Sequence, residues 1–116
     1  MKGLVVVPFY NEGEVAKLYS EELILAFQST DDINVDFYLA NDFSSDDTKN
    51  YLDSIQMKYN NVVLQNNKEN LGHGKTVVNG YLYALENNYQ YVVQIDGDNA
   101  AEPTSIIQLV QEAIDQ

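Results

Sequence analysis

The sequence predicts an α/β fold of three layers, α/β/α, built on a doubly wound and mainly parallel sheet. Three observations carry that prediction. Apolar runs alternate with amphipathic patterns in the order βαβαβαβα. The first run, GLVVVP at 3–8, is continuous, as a strand covered on both faces requires. Each polar or glycine-rich cluster follows the end of a run, so all of them belong at one edge of the sheet, where open parallel sheets bind ligands.

Taken in order, residues 3–8 form the first strand, which Pro8 ends because it cannot donate to a ladder. Asn11 caps the next helix, with Glu14 completing a capping box and Val15, Leu18, Tyr19, Leu25 and Ala26 facing the core as far as about residue 28. INVDFYLA (33–40) is the second strand, and Ser44 or Ser45 caps a helix carrying Tyr51, Leu52, Ile55 and Met57. NVVLQ (61–65) is a short third strand; the glycines of LGHGK then open a helix with Val77, Tyr81, Ala84 and Leu85 at helical spacing. YVVQID (91–96) is the fourth strand. From Pro103, a favoured first helical position, a last helix carries Ile106, Ile107, Leu109, Val110 and Ile114. Such alternation implies right-handed crossovers with helices on both faces.

Composition narrows the function. A chain of 116 residues that is 45% hydrophobic makes one domain with a core. No apolar stretch reaches the roughly 18 residues that span a bilayer, and MKGLVVVPFYNE lacks the features of a signal peptide, so the expected location is cytoplasmic. With no cysteine, a metal would be held by oxygen ligands or the single histidine, which points to a hard cation. Six lysines, no arginine and 18 acidic residues give a net charge of -12, which argues against nucleic acid as a partner. The same charge would repel a nucleotide diphosphate unless a divalent cation offset it.

The sharpest cluster is Asp96-Gly97-Asp98. In an extended segment, residues two apart project to the same side, so both carboxylates could address one divalent cation while Gly97 lets a ligand approach the backbone. An acidic turn capping the last helix is the plainer alternative. Asp42 could accept hydrogen bonds from a nucleobase or ribose, or close an Asx-turn. Asn11 and Glu12 read equally as capping residues or ligand contacts. Gly72 and Gly74 could present backbone N–H groups to an anion at a helix N-terminus, with Lys75 adding charge, or serve the turn alone. His73 reads as a surface or loop residue, and Tyr81, Tyr83, Tyr89 and Tyr91 as core and sheet-face residues.

Together these clusters resemble the family 2 glycosyltransferases, an inverting group with the Rossmann-like GT-A fold, along essentially the whole chain. VVVPFYNE is similar to the family's opening strand and base-and-ribose signature. LANDFSSDDT is similar to a segment usually read Asp-Asp-Gly-Ser-x-Asp-x-Thr, NLGHGKTVVNGYLYAL to the Asn-x-Gly helix region, and VVQIDGD to the DxD signature. The resemblance implies a donor nucleotide-diphospho-sugar, UDP- or GDP-linked, bound by Pro8, Tyr10, Asn11, Glu12, Asp42, Gly72, Lys75 and Asp96. It also implies Mn or Mg held by Asp96 and Asp98, and an acceptor that is polyprenyl phosphate or a saccharide. Residues 1–116 would then be one nucleotide-sugar-binding domain, truncated before the acceptor-binding half and its general base. Self-association to cover the surface so bared, and attachment of the intact protein to the cytoplasmic face of a membrane, are open expectations.

Three positions depart from the pattern. Asn41 replaces the first acid, Phe43 replaces the glycine, and Ala100 stands where a metal-contacting Gln often does. A P-loop NTPase is the enzyme alternative because GHGKT ends like a Walker A motif, but position 69, which should be glycine, is Glu. A GxGxxG dinucleotide fold fails because glycines 72, 74 and 80 have the wrong spacing and follow the wrong strand. The remaining alternative is a non-catalytic nucleotide-binding or interaction module with the same fold.

Overall fold

The structure is a computed structural model that describes residues 1–98 and 101–115. The elements are β1 (Lys2–Phe9), α1 (Glu14–Gln28), β2 (Asn34–Asn41), α2 (Thr48–Lys58), β3 (Val62–Asn66), α3 (His73–Glu86), β4 (Tyr91–Gln94) and α4 (Pro103–Ile114). All three strand pairings are parallel, and the sheet order is β3-β2-β1-β4. Side chains of β1 alternate between two cores. Val5, Val7 and Phe9 pack with residues of α1, α2 and α4, while Leu4 and Val6 join Tyr38, Ala40 and Ala84 of α3 on the other face. Each of these five β1 residues is at most 1% exposed, and burial of a side chain this size contributes about 1.5–3 kcal/mol.

The order 3-2-1-4 means that the chain turns back after β3. It passes β2 and β1 along α3, on the opposite face from the other helices, and adds β4 beyond β1. The topological switch point therefore lies between β1 and β4. Gly80 allows α3 to lie this close, since a Cβ there would stand 2.6 Å from a Val6 methyl.

Several local expectations are corrected. Pro8 does not end β1, which pairs with β2 through Phe9. The carbonyls of Lys2 and Val6 accept from Gln90 and Ile95 on the β4 side. Pro8, in phase with them, faces the same way, past the end of β4, so no ladder bond is lost. Asn11 does not cap α1: the cap position is Gly13, and no capping box forms. Neither Ser44 nor Ser45 caps α2; an Asp46 carboxylate oxygen accepts from the Thr48 N–H at 2.9 Å instead.

The buried stripe of α1 is Ala16, Tyr19, Ser20, Leu23, Ile24 and Phe27, with Val15, Leu18 and Leu25 exposed. Met57, Tyr81, Leu85 and Leu109 are exposed as well. These helices carry apolar residues on more than one face, and packing selects which face is buried. Among the described residues, no helix is long and apolar enough to cross a membrane. Ala100 lies outside the described residues.

Candidate functional site

At the carboxyl ends of the strands lies a hollow of about 470 Å³, lined by Pro8, Phe9, Tyr10, Glu12, Asp42, Asn70, Gly72, His73, Asp96, Gly97 and Asp98. It opens beside the switch point, where the loops after β1, β2, β3 and β4 meet. Of the residues singled out by sequence, Pro8, Tyr10, Glu12, Asp42, Gly72, Asp96 and Asp98 share this hollow; Asn11 and Lys75 do not line it.

The β2–β3 wall is built around Asp42, only 5% exposed. Its Oδ1 accepts from Asn67 Nδ2 at 3.0 Å and the Leu71 N–H at 2.8 Å, and its Oδ2 accepts from the Gly72 N–H at 3.0 Å. Burial alone would raise the Asp42 carboxyl, but the hydrogen bonds from Asn67, Leu71, Gly72 and Thr76 outweigh it and hold the group below the ordinary aspartate value. Asn67 also donates to Thr76 Oγ1 at 3.1 Å, so one buried amide ties β3 to the first turn of α3. A carboxylate offers about four acceptor sites, so little of Asp42 is left for a ligand, and its first task is to position the loop at 71–72. The Gly72 amide is engaged by Asp42 rather than held ready for an incoming anion.

Asn67 and Thr76 are not singled out by the sequence reading. The available signal was a polar residue just past β3, on the same edge as Asp42.

The departure at Asn41 has a local reason. Its Nδ2 donates to Asn66 Oδ1 at 3.1 Å while its Oδ1 accepts from the Ser44 N–H at 3.1 Å and the Ser44 hydroxyl at 2.6 Å. An aspartate could accept but not donate. Asn11 serves the same loop: its Oδ1 accepts from the Ser45 N–H at 2.8 Å and its own N–H donates to Ser44 Oγ at 3.0 Å. The loops after β1 and β2 are thus laced together.

The β4 wall differs. The strand ends at Gln94, so Asp96 precedes and Asp98 lies within a turn at Gly97–Asp98 rather than on an extended segment. Gly97 lines the hollow, and a Cβ there would stand 2.4 Å from the Pro8 carbonyl and 2.5 Å from the Phe9 ring, so glycine also lets the turn press against β1. Asp96 is 62% exposed, accepts from Gln94 Nε2 at 2.9 Å, and lies 3.5 Å from Nε2 of His73, the exposed first residue of α3. Asp98 is exposed. Glu12 across the hollow has its carboxyl raised, first by burial and then by the charges of Asp98 and Asp46.

Tyr19 closes the far side of the turn, its hydroxyl donating to the Ala101 carbonyl at 2.6 Å. Its ionisation is pushed up by burial and then by Glu22, Asp98 and Asp96. Among the described residues, four carboxylates therefore line the hollow, and no lysine does.

The parallel sheet with helices on both faces has the GT-A glycosyltransferase fold, by its likeness to solved structures. The chain belongs to glycosyl transferase family 2, whose model matches residues 4–116. S. aureus TarS 1–349 is similar at TM-score 0.71 and 19% identity, over 96% of this chain and 32% of that one. Its complex with UDP-GlcNAc gives 0.65 and 20%, over 96% and 30%. The mannosyltransferase PcManGT from Pyrobaculum calidifontis, in complex with GDP-Man and Mn2+, gives 0.71 and 19%, over 90% and 30%. At these identities the likeness is one of fold. An uncharacterized protein of Methanocaldococcus jannaschii, MJ0544, is 27% identical over 114 residues, 97% of this chain and 47% of that protein. The chain thus spans about half the length of that relative and about a third of the solved ones.

Proposed function

We propose that this domain is the donor-binding part of a metal-dependent, inverting glycosyltransferase that uses a UDP- or GDP-linked sugar. The observation that carries this reading is the convergence of Asp42, Asp96 and Asp98 on one hollow with Pro8, Tyr10 and Glu12. The solved proteins of the same fold supply the ligand class, nucleotide sugars, with Mn2+ in one case.

The residues fit a divalent cation as a partial site. The hollow is acidic, and two exposed carboxylates stand on its β4 wall. Among the described residues no group of three or more His, Asp or Glu could enclose a metal, so donor phosphates and water would complete the coordination, as suits Mg2+ or Mn2+. Asp96 and Asp98 would hold the ion, whose chemistry when bound is to stabilise charge on a departing nucleoside diphosphate.

In this reading, Pro8, Tyr10 and Glu12 line the nucleoside end, and Asp42, its carboxylate engaged by Asn67, Leu71, Gly72 and Thr76, shapes the wall against which the base and ribose sit. Gly72 forms the floor that Asp42 anchors. Asn11 acts through the loop it holds, and Lys75, exposed on the first turn of α3, lowers the local negative potential. The acceptor, a saccharide hydroxyl or a polyprenyl phosphate, attacks the anomeric carbon opposite the leaving group, which inverts that centre. None of the residues lining the hollow is assigned as a base.

Isothermal titration with UDP and GDP, with and without Mn2+, tests the reading. Mn2+ is expected to tighten binding of one of them by about tenfold or more, since it offsets diphosphate charge in an acidic cavity. The same heats in all four titrations would reject it.

A further inference from the structure

The chain's single histidine, which reads in sequence as a surface or loop residue, lines the hollow. His73 is the first residue of α3, and its Nε2 stands 3.5 Å from Oδ1 of Asp96 on the opposite wall. Both side chains are open to solvent in the cavity. The pair is longer than a good N–H···O bond, which lies near about 2.9 Å. The same Asp96 oxygen already accepts from Gln94 Nε2 at 2.9 Å.

A nitrogen and an oxygen bound to one metal ion, each at about 2.0–2.2 Å, stand about 3.0–3.5 Å apart at octahedral or tetrahedral angles. The His73–Asp96 spacing matches that separation. Gln94 gives the carboxylate the supporting hydrogen bond that orients a ligating group. The positive end of α3 opposes a cation at its first turn by about 0.3–1 kcal/mol. Asp42 offsets this, since its carboxylate is bonded to the Gly72 amide at that end.

We propose that His73 is a metal-binding residue of the donor site, its Nε2 and an Asp96 oxygen coordinating one divalent cation, and that it makes the site prefer Mn2+ to Mg2+. The inference rests on the donor-site reading and adds a nitrogen to the carboxylates named there. Mg2+ takes oxygen ligands, whereas an imidazole nitrogen strengthens binding of first-row transition ions. The site is open, because no group of three such ligands encloses an ion among the described residues, and donor phosphates and water fill the other positions.

Isothermal titration of UDP and GDP into the parent chain and into His73→Ala, each with Mn2+ and with Mg2+, tests the preference. The parent is expected to bind one nucleotide about tenfold more tightly with Mn2+ than with Mg2+, and His73→Ala to lose that ratio. His73 is exposed at the start of α3, so the variant keeps the fold. Because the chain has one histidine, its imidazole gives a second readout that needs no nucleotide. In 15N NMR the Nε2 signal should shift saturably with Zn2+ in the parent and require about tenfold more Zn2+ in Asp96→Asn. A histidine that bound the ion by itself would respond alike in both.

An equal Mn2+-to-Mg2+ ratio in parent and His73→Ala, or an equal Zn2+ response in parent and Asp96→Asn, would overturn the role of His73. Metal-dependent nucleotide binding by the parent would then leave the donor-site reading intact. Nucleotide binding indifferent to every metal would remove both.

Discussion

The two walls of the hollow are built on opposite principles. On the β2–β3 side, Asp42 is buried and held by amides from three different positions. On the β4 side, Asp96 and Asp98 stand exposed on a tight turn. A buried carboxylate is tolerable only when its acceptor sites are filled by the protein, so the first wall is finished before any ligand arrives. Exposed carboxylates are solvated by water and need no such saturation, so the second wall keeps acceptor oxygens at the surface of the hollow. The first wall is tied into the fold, and the second stands at the surface of the hollow.

Substitutions can break or sharpen that contrast. The largest effect is expected from Asp42→Ala, which leaves the Leu71 and Gly72 amides and Asn67 without their acceptor; chemical denaturation should show a loss of about 3 kcal/mol. Gly97→Ala comes next, at about 2 kcal/mol, because the new methyl meets a backbone carbonyl and a buried ring. It would show that the second wall has rigid backing even though its carboxylates are exposed. The double variant Asp96→Asn, Asp98→Asn should alter stability by only about 0.5 kcal/mol while abolishing the Mn2+ dependence of nucleotide binding. A large loss of stability there would erase the contrast.

The smallest effects concern pH, and Asp42 and Glu12 should differ in sign. Asp42 has a lowered folded value, so its contribution is complete above the unfolded value, about 3.9, and is lost as pH falls toward the folded one. Glu12 has a raised value, so its ionisation opposes folding, and stability falls as pH rises from its unfolded to its folded value. Glu12→Gln should remove the second dependence and Asp42→Asn the first, as followed by denaturation across the acid range.

Much of this is legible in the sequence, and the gaps have physical causes. All eight elements occur in the expected order, and the polar clusters meet at one sheet edge, because strand ends are punctuated by local chemistry. The buried face of α1 departs from expectation because its apolar residues at 15, 18 and 25 compete with those at 16, 23, 24 and 27, and nothing local breaks the tie. The capping role expected of Asn11 fails for a related reason. Its side chain bonds to Ser45, 34 positions away, which no short window can reveal. Gly97 reads in sequence as an opening for a ligand; that the Pro8 carbonyl and the Phe9 ring stand behind it is a fact of packing which no local pattern reveals.

By itself, the sequence determined the alternation of strands and helices, the acidity of the chain and the edge at which its polar residues gather. These follow from side-chain period, charge and turn chemistry, all set within a few residues of one another. Tertiary structure alone decided which carboxylate would be buried and saturated and which would stay exposed. That choice depends on amides and rings brought together from distant strands, and their desolvation and packing exist only once the sheet has assembled in the order 3-2-1-4.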